Sequence, residues 1–303
     1  MHIYLPIAEM SVSAEVLLML GTLVGFLSGV FGVGGGFLTT PVLIFMGIPP
    51  AVAVGTQANQ LIATSTTGVL GYWKQGNVDL KIAWFMLSGG LFGSVIGILL
   101  FKLLQYLGQI DLVISLLYVF LLGIIGLMML YESIGALFQS NKLRGDIGSF
   151  SQSNFAKNLP YKVRFSQSRL HISAVLPVGI GVVSGLLISV MGIGGGFLIV
   201  PALIYILGMP ALLVPGTSLF QIIFISAFSC ILHAWANHTV DIVLAAMLMI
   251  GGVVGAHLGV RASRWVRGAP ARISLALIIV CVSFRLAADL FVPPVDLYEV
   301  VVR

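Results

Sequence analysis

The sequence predicts an all-α polytopic membrane protein of about ten transmembrane or half-membrane segments, in two inverted five-segment repeats with broken helices. Three observations predict it. Hydrophobic residues make up 59% of the 303-residue chain and charged residues only 8%, whereas a soluble domain carries about 25% charged residues. Apolar residues run almost unbroken over 82–101 and 112–131, long enough to span a bilayer. A glycine-rich phrase also occurs twice, Phe31-Gly32-Val33-Gly34-Gly35-Gly36-Phe37-Leu38 and Met191-Gly192-Ile193-Gly194-Gly195-Gly196-Phe197-Leu198, each followed at the same distance by a proline, Pro41 or Pro201.

The N-terminus carries no Lys or Arg ahead of its first apolar run and so lacks the n-region of a cleaved signal peptide. The run at 14–31 is therefore expected as a retained first helix. Further apolar segments follow at 37–47, 51–72, 82–105 and 111–137, and then at 171–190, 197–208, 212–236, 242–262 and 272–292. This divides the chain into a first repeat over 1–137, a polar linker over 138–169 and a second repeat over 170–303. Segment 37–47 would rise about 16 Å at 1.5 Å per residue, against a hydrocarbon core about 30 Å thick. It and 197–208 are expected as half-helices or limbs of re-entrant pairs.

The halves match beyond the glycines. Gly34, Gly35 and Gly36 correspond to Gly194, Gly195 and Gly196 at a separation of 160. Gly55-Thr56 and Gln60 correspond to Gly216-Thr217 and Gln221 at 161. Trp73, Val78-Asp79, Gly89-Gly90, Gly93 and Gly97 correspond to Trp235, Val240-Asp241, Gly251-Gly252, Gly255 and Gly259 at 162. Residues of such different chemistry, matched in one order, mark an internal duplication. The central stretch carries Lys142, Arg144, Lys157, Lys162, Arg164 and Arg169 against one acid, Asp146, which places it in the cytoplasm. With five crossings per half, the loops of Lys74 and Lys81 and of Arg261, Arg264, Arg267 and Arg272 also face inside, and both termini outside. An odd number of crossings turns the second repeat upside down, and transporters of that kind bind substrate near the midplane among broken helices.

Gly34–Gly36 and Gly194–Gly196 interrupt helices where lipid requires freed backbone groups to find partners or line a watery cavity. Helices opening at Phe37 or Phe197 would turn their positive dipole ends toward the break, which suits an anion. Beyond each break lies a polar opening, Gly55-Thr56-Gln57-Ala58-Asn59-Gln60 or Gly216-Thr217-Ser218-Leu219-Phe220-Gln221. Pro49-Pro50 and Pro215 mark these as helix starts with the threonines near the N-cap. Thr56 and Gln60, like Thr217 and Gln221, lie four apart on one helix face, and neutral hydroxyls and amides can hold an oxyanion without trapping it. Gln57 against Ser218, and Asn59 against Phe220, make the two halves of this candidate substrate site unequal.

Arg285, with Asp289 one turn on, and His233 are candidates for a charge or proton role; the plainer alternatives are a self-neutralised pair and a packing histidine. The spaced glycines Gly89, Gly93, Gly97, Gly251, Gly255 and Gly259 are assigned to close helix packing, and Asp79 and Asp241 to N-caps. No enzyme is expected, because no nucleophile elbow, zinc-protease motif or P-loop is present. No metal or cofactor is expected either, since Cys230 and Cys281 have no ligand spacing. The net charge of +5 sits in loops and is no nucleic-acid footprint.

The paired Gly-(Val/Ile)-Gly-Gly-Gly-Phe-Leu…Pro phrases, the Gly-Thr-x-x-x-Gln openings and the Trp…Val-Asp stretches leading into Gly-Gly segments resemble those of the sulfite exporter TauE/SafE family of bacterial inner-membrane permeases. The resemblance runs from about residue 15 to 290 outside the central stretch. It implies secondary transport, exporting a small oxidised-sulfur anion, sulfite foremost. The alternatives are a permease for a sulfonate, sulfoacetate or thiosulfate, or a passive anion channel. The implied partners are a small inorganic or sulfonate anion and the lipid bilayer, with room for a homo-oligomer. The family motifs fall on Gly34–Gly36, Thr56, Gln60, Gly194–Gly196, Thr217 and Gln221.

Overall fold

The computed structural model describes residues 2–138, 161–165, 167–168, 170–237, 239–263, 265 and 269–291. Its helices are α1 (Ala14–Phe31), α2 (Gly36–Phe45), α3 (Pro50–Lys74), α4 (Leu80–Tyr106) and α5 (Ile110–Phe138) in the first half. In the second half they are α6 (Val175–Met191), α7 (Gly196–Pro201), α8 (Val214–Ala236), α9 (Ile242–Ala262) and α10 (Ala269–Phe291). Among the described residues six stretches are long and apolar enough to cross a membrane: Ala14–Phe31, Leu80–Tyr106, Ile110–Tyr131, Val214–Ala236, Ile242–Ala262 and Ile273–Leu290. The chain is a polytopic, mostly helical membrane protein.

The half-length elements have local causes. The last turn of α1 closes on Gly32, whose N–H donates to the Ser28 carbonyl at 2.8 Å with φ at 71°. Gly192 closes α6 in the same way on Ile188, at 2.9 Å and φ 68°. Such a left-handed residue ends a helix and is nearly free of cost only for glycine. Downstream, Pro201 lies within α7 and lacks an N–H to donate, and the next turn, Ala202–Ile206, widens into a π-helix. Pro41 occupies the matching place inside α2, which continues to Phe45.

Each half also opens with a β-hairpin that composition and periodicity did not announce. Strand β1 (His2–Leu5) pairs antiparallel with β2 (Met10–Ser13), and β3 (Lys162–Phe165) with β4 (Leu170–Ser173). Strand β3 lies in the 138–169 stretch expected as a polar linker, of which residues 139–160, 166 and 169 fall outside the described ones, and β4 lies at the start of the expected second repeat. The hairpins stand 160 residues apart, His2 matching Lys162 and Met10 matching Leu170, so they belong to the duplication.

The halves are interleaved. Helix α1 lies parallel on α9, with Gly21 against Leu248 and Gly29 against Ala256 and Val260. In the same manner α6 lies parallel on α4, with Gly181 against Met86 and Gly185 against Gly90. A methyl group on Gly93 would fall on the Val182 carbonyl, and one on Gly255 on the Thr22 carbonyl. The spaced glycines therefore serve close backbone approach. Between these pairs run α3, packed on α9, and α8, packed on α4. Helices α3 and α8 cross antiparallel, with Gly68 against Leu219 and Asn59 beside Cys230. Helices α5 and α10 pack on each other, and the Ser283 hydroxyl donates to the Val119 carbonyl at 3.0 Å.

Candidate functional site

The two glycine-rich breaks cross each other at the centre of this arrangement. Gly34 and Gly35 have φ of 83° and 77°, and Gly194 and Gly195 have φ of 76° and 62°, values that side chains rarely adopt. At Gly36 a side chain would collide with the Gly192 carbonyl, and at Gly196 with the Val33 carbonyl. Gly32 lies against Pro215 near the start of α8, whereas Gly192 lies against Val54 near the start of α3. Because α3 and α8 are antiparallel, the breaks enter from opposite ends of the bundle. Leu61 lies over both Gly34 and Gly194, and Ile222, its counterpart 161 residues on, lies over Gly34. Helices α2 and α7 begin at the crossing, one residue ahead of the expected Phe37 and Phe197.

Several predicted polar residues secure this geometry. The threonines do not cap their own helices: α3 begins six residues before Thr56, at Pro50, and α8 three before Thr217, at Val214. Instead the Thr56 hydroxyl oxygen accepts the Asp241 N–H at 2.9 Å, and that of Thr217 accepts the Asp79 N–H at 2.9 Å. Asp79 and Asp241 are the buried N-caps of α4 and α9, as expected. The other carboxylate oxygen of each holds the turn of a hairpin. Ile7 N–H donates to Asp241 at 2.9 Å, whereas Asp79 takes both the N–H and the hydroxyl of Ser168. Thr56 and Thr217 thus sit near the starts of two antiparallel helices, each bound to a different latch, and do not come together.

Side chains also cap the carbonyls that precede each break. Tyr72 Oη donates to the Gly29 carbonyl at 3.0 Å. His233, at the position matching Tyr72, places Nε2 2.8 Å from the Ser189 carbonyl, the counterpart of Gly29. Asn237 Nδ2 lies 3.0 Å from His233 Nδ1, and Phe101 packs edge-on against the ring at 4.7 Å. Both ring nitrogens are therefore occupied, which fits the packing histidine rather than a proton relay. Arg285 lies apart from the crossing on the outer face of α10, 70% exposed, 3.7 Å from Asp289 and over the Phe45 ring. Asn59 is half-buried, and its Oδ1 accepts from Cys230 at 3.1 Å.

The remaining polar set is the unusual one. Gln57 and Gln60 are fully buried, and neither has a partner for either end of its amide. Gln60 packs toward Gly252 of α9, and Gln221 toward Gly90 of α4. Gln221 Nε2 donates to Ser184 Oγ at 2.6 Å, leaving only its Oε1 without a partner. Ser184 in turn lies against Gly195, as Val24 and Ser28 lie against Gly35. Ser28, Ser65, Ser189 and Ser226 add buried hydroxyls with no partner. Ser65 and Ser226 are counterparts at 161, one and a half turns beyond the glutamines, so extending the repeat alignment past Gln60 would have found them. The only buried ionisable acids or bases of the Asp, Glu, Lys and Arg type among the described residues are the two latch aspartates. The buried polar groups left without partners here are neutral amides and hydroxyls, in a membrane interior where such groups need partners.

A family model described as sulfite exporter TauE/SafE matches residues 17–286. The chain belongs to the sulfite exporter TauE/SafE family. It is 30% identical over 277 residues to a probable membrane transporter protein, YjnA, of Bacillus subtilis, covering 91% of this chain and all of that protein. A second B. subtilis probable membrane transporter protein, YunE, is 28% identical over 83% of this chain and 89% of its own length. Sulfite exporter TauE/SafE family protein 6 of Arabidopsis thaliana is 32% identical over 76 residues, 25% of this chain and 18% of its own. No solved structure matches the chain. A membrane transporter of this family is the identity that the glycine crossing and its polar surroundings have to explain.

Proposed function

We propose that this transporter exports a small oxidised-sulfur anion, sulfite foremost, by alternating access between two inverted repeats over 1–137 and 170–303, and that it is not an enzyme. The observation that carries the proposal is the set of buried, unpartnered amides and hydroxyls on the helices that flank the glycine crossing. An unpartnered buried polar group costs about 1–3 kcal/mol, so a site of this kind is retained for what it binds. Neutral donors suit an anion that must be released after each crossing.

The antiparallel run of α3 against α8, and the entry of the breaks from opposite ends, support the inverted relation. Exchange of α1 and α6 between the halves gives each repeat a rigid face to rock against. The basic groups support the orientation. Lys81 Nζ donates to the Arg164 carbonyl, Gln167 to the Gly76 carbonyl, and Gly71 meets Val260 beside Arg261. Lys74, Lys81, Arg164 and Arg261 thus gather at one end, which we place in the cytoplasm of a bacterial inner membrane. Efflux of labelled sulfite from proteoliposomes tests the proposal. Gln60→Leu combined with Gln221→Leu is expected to lower efflux at least about tenfold, the worth of about 1.4 kcal/mol, in a protein that still inserts and stays monodisperse; unchanged efflux would refute the site.

A further inference from the structure

We infer that recognition is one-sided: Gln57 and Gln60 of α3 select the anion, and they select an oxyanion that still carries a proton, while the matching turn of α8 is committed to structure. This rests on the anion-export reading above. On α8, the Thr217 hydroxyl donates to the Leu213 carbonyl at 2.7 Å and accepts from Asp79. Ser218 donates to the Gly32 carbonyl at 2.9 Å. Gln221 donates to Ser184, whose own hydroxyl donates to the Gly181 carbonyl at 2.7 Å. On α3 only Thr56 keeps the equivalent bond, to Asp241.

Two substitutions between the halves account for the difference. Gln57 stands where α8 has Ser218, and Val24 stands where α6 has Ser184. Without a serine at position 24, Gln60 has no counterpart of the bond that fixes Gln221, and all four amide heteroatoms of Gln57 and Gln60 stay buried and unpartnered. Each amide offers N–H donors and an acceptor carbonyl. A fully deprotonated oxyanion answers the donors but turns like charge toward the carbonyls. A monoprotonated oxyanion such as hydrogensulfite answers both. A site that bonds a substrate hydroxyl strongly rejects analogues lacking it, because its own polar groups are then left unpaired.

The test uses the full chain in proteoliposomes, with labelled sulfite at equal pH on both sides, buffered below and then above the second ionisation of sulfurous acid, and sulfate as the competitor that stays deprotonated. At fixed total sulfite the initial rate should follow the monoprotonated fraction, and sulfate should compete at least about tenfold more weakly. Gln60→Leu should raise the apparent KM roughly 10- to 100-fold, the worth of one hydrogen bond to a charged ligand, and narrow the preference over sulfate. Removing an unpartnered amide leaves no new orphan, so folding should persist. Val24→Ser, which offers Gln60 the partner that Ser184 gives Gln221, should also raise KM. Equal KM shifts for Gln60→Leu and Gln221→Leu, a rate that follows the dianion, or an indifferent Val24→Ser would each overturn the inference while leaving sulfite export standing. Absence of any oxyanion flux in the unsubstituted protein would overturn both.

Discussion

Removing the Asp79 carboxylate should cost more than removing that of Asp241, although the two occupy matching places in the repeat. Asp79 accepts the Lys81 and Ile82 N–H groups at 3.1 and 3.2 Å as the cap of α4, and in addition the N–H and hydroxyl of Ser168. Asp241 caps α9 through Val243 and Leu244 at 3.0 and 3.1 Å but takes only the Ile7 N–H from its hairpin. Loss of an N-cap costs about 1 kcal/mol, and a hydrogen bond to a charged group is worth about 1.5–3 kcal/mol. Asp79→Ala should therefore destabilise by about 4–7 kcal/mol and Asp241→Ala by about 2.5–4 kcal/mol. Thermal unfolding of the two variants in the same detergent measures the order, and amide exchange localises it: protection should collapse in 162–173 for Asp79→Ala and in 2–13 for Asp241→Ala. Equal destabilisation, or hairpins that keep their protection, would refute the assignment of the carboxylates as latches.

Other substitutions probe the remaining joints. Gly93→Leu drives a side chain into the Val182 carbonyl, where overpacking costs about 1–3 kcal/mol or more, so size-exclusion chromatography should show lost or aggregated protein. Tyr72→Phe removes the bond to the Gly29 carbonyl and should lower stability by about 1 kcal/mol, measured by thermal unfolding; no change would mean that carbonyl needs no cap. Arg285→Ala breaks an exposed pair remote from the crossing, and such pairs contribute about 0–1 kcal/mol. Its sulfite efflux should stay within about twofold of the parent, and a larger loss would bring the arginine into the transport cycle.

Much of this architecture was legible in the chain. The first and ninth helices, 14–31 and 242–262, fall where the apolar runs put them, because lipid makes the apolar span almost the whole signal. The breaks were legible because glycine is the residue that adopts left-handed φ, and the spaced glycines because close helix contact selects them. The hairpins were not, since four-residue strands before a helix leave little periodicity. The threonines were read as lying near the N-caps of their own helices, whereas those helices start earlier, at Pro50 and Val214, and the hydroxyls reach across to the other half. That partner is non-local, and no spacing along one helix encodes it. Ser184 escaped notice for a related reason: its importance lies in the contrast with Val24 across the duplication, and only the bond to Gln221 makes that contrast visible.

Counterflow is the most direct test of the central claim, that this family member is a carrier for a small sulfur oxyanion. Proteoliposomes holding the purified chain and loaded with unlabelled sulfite, then diluted into a trace of labelled sulfite, should transiently accumulate label, and external sulfite should saturate the uptake. Label that merely equilibrates without overshoot would contradict the carrier mechanism, and empty and loaded vesicles that behave alike would contradict the substrate.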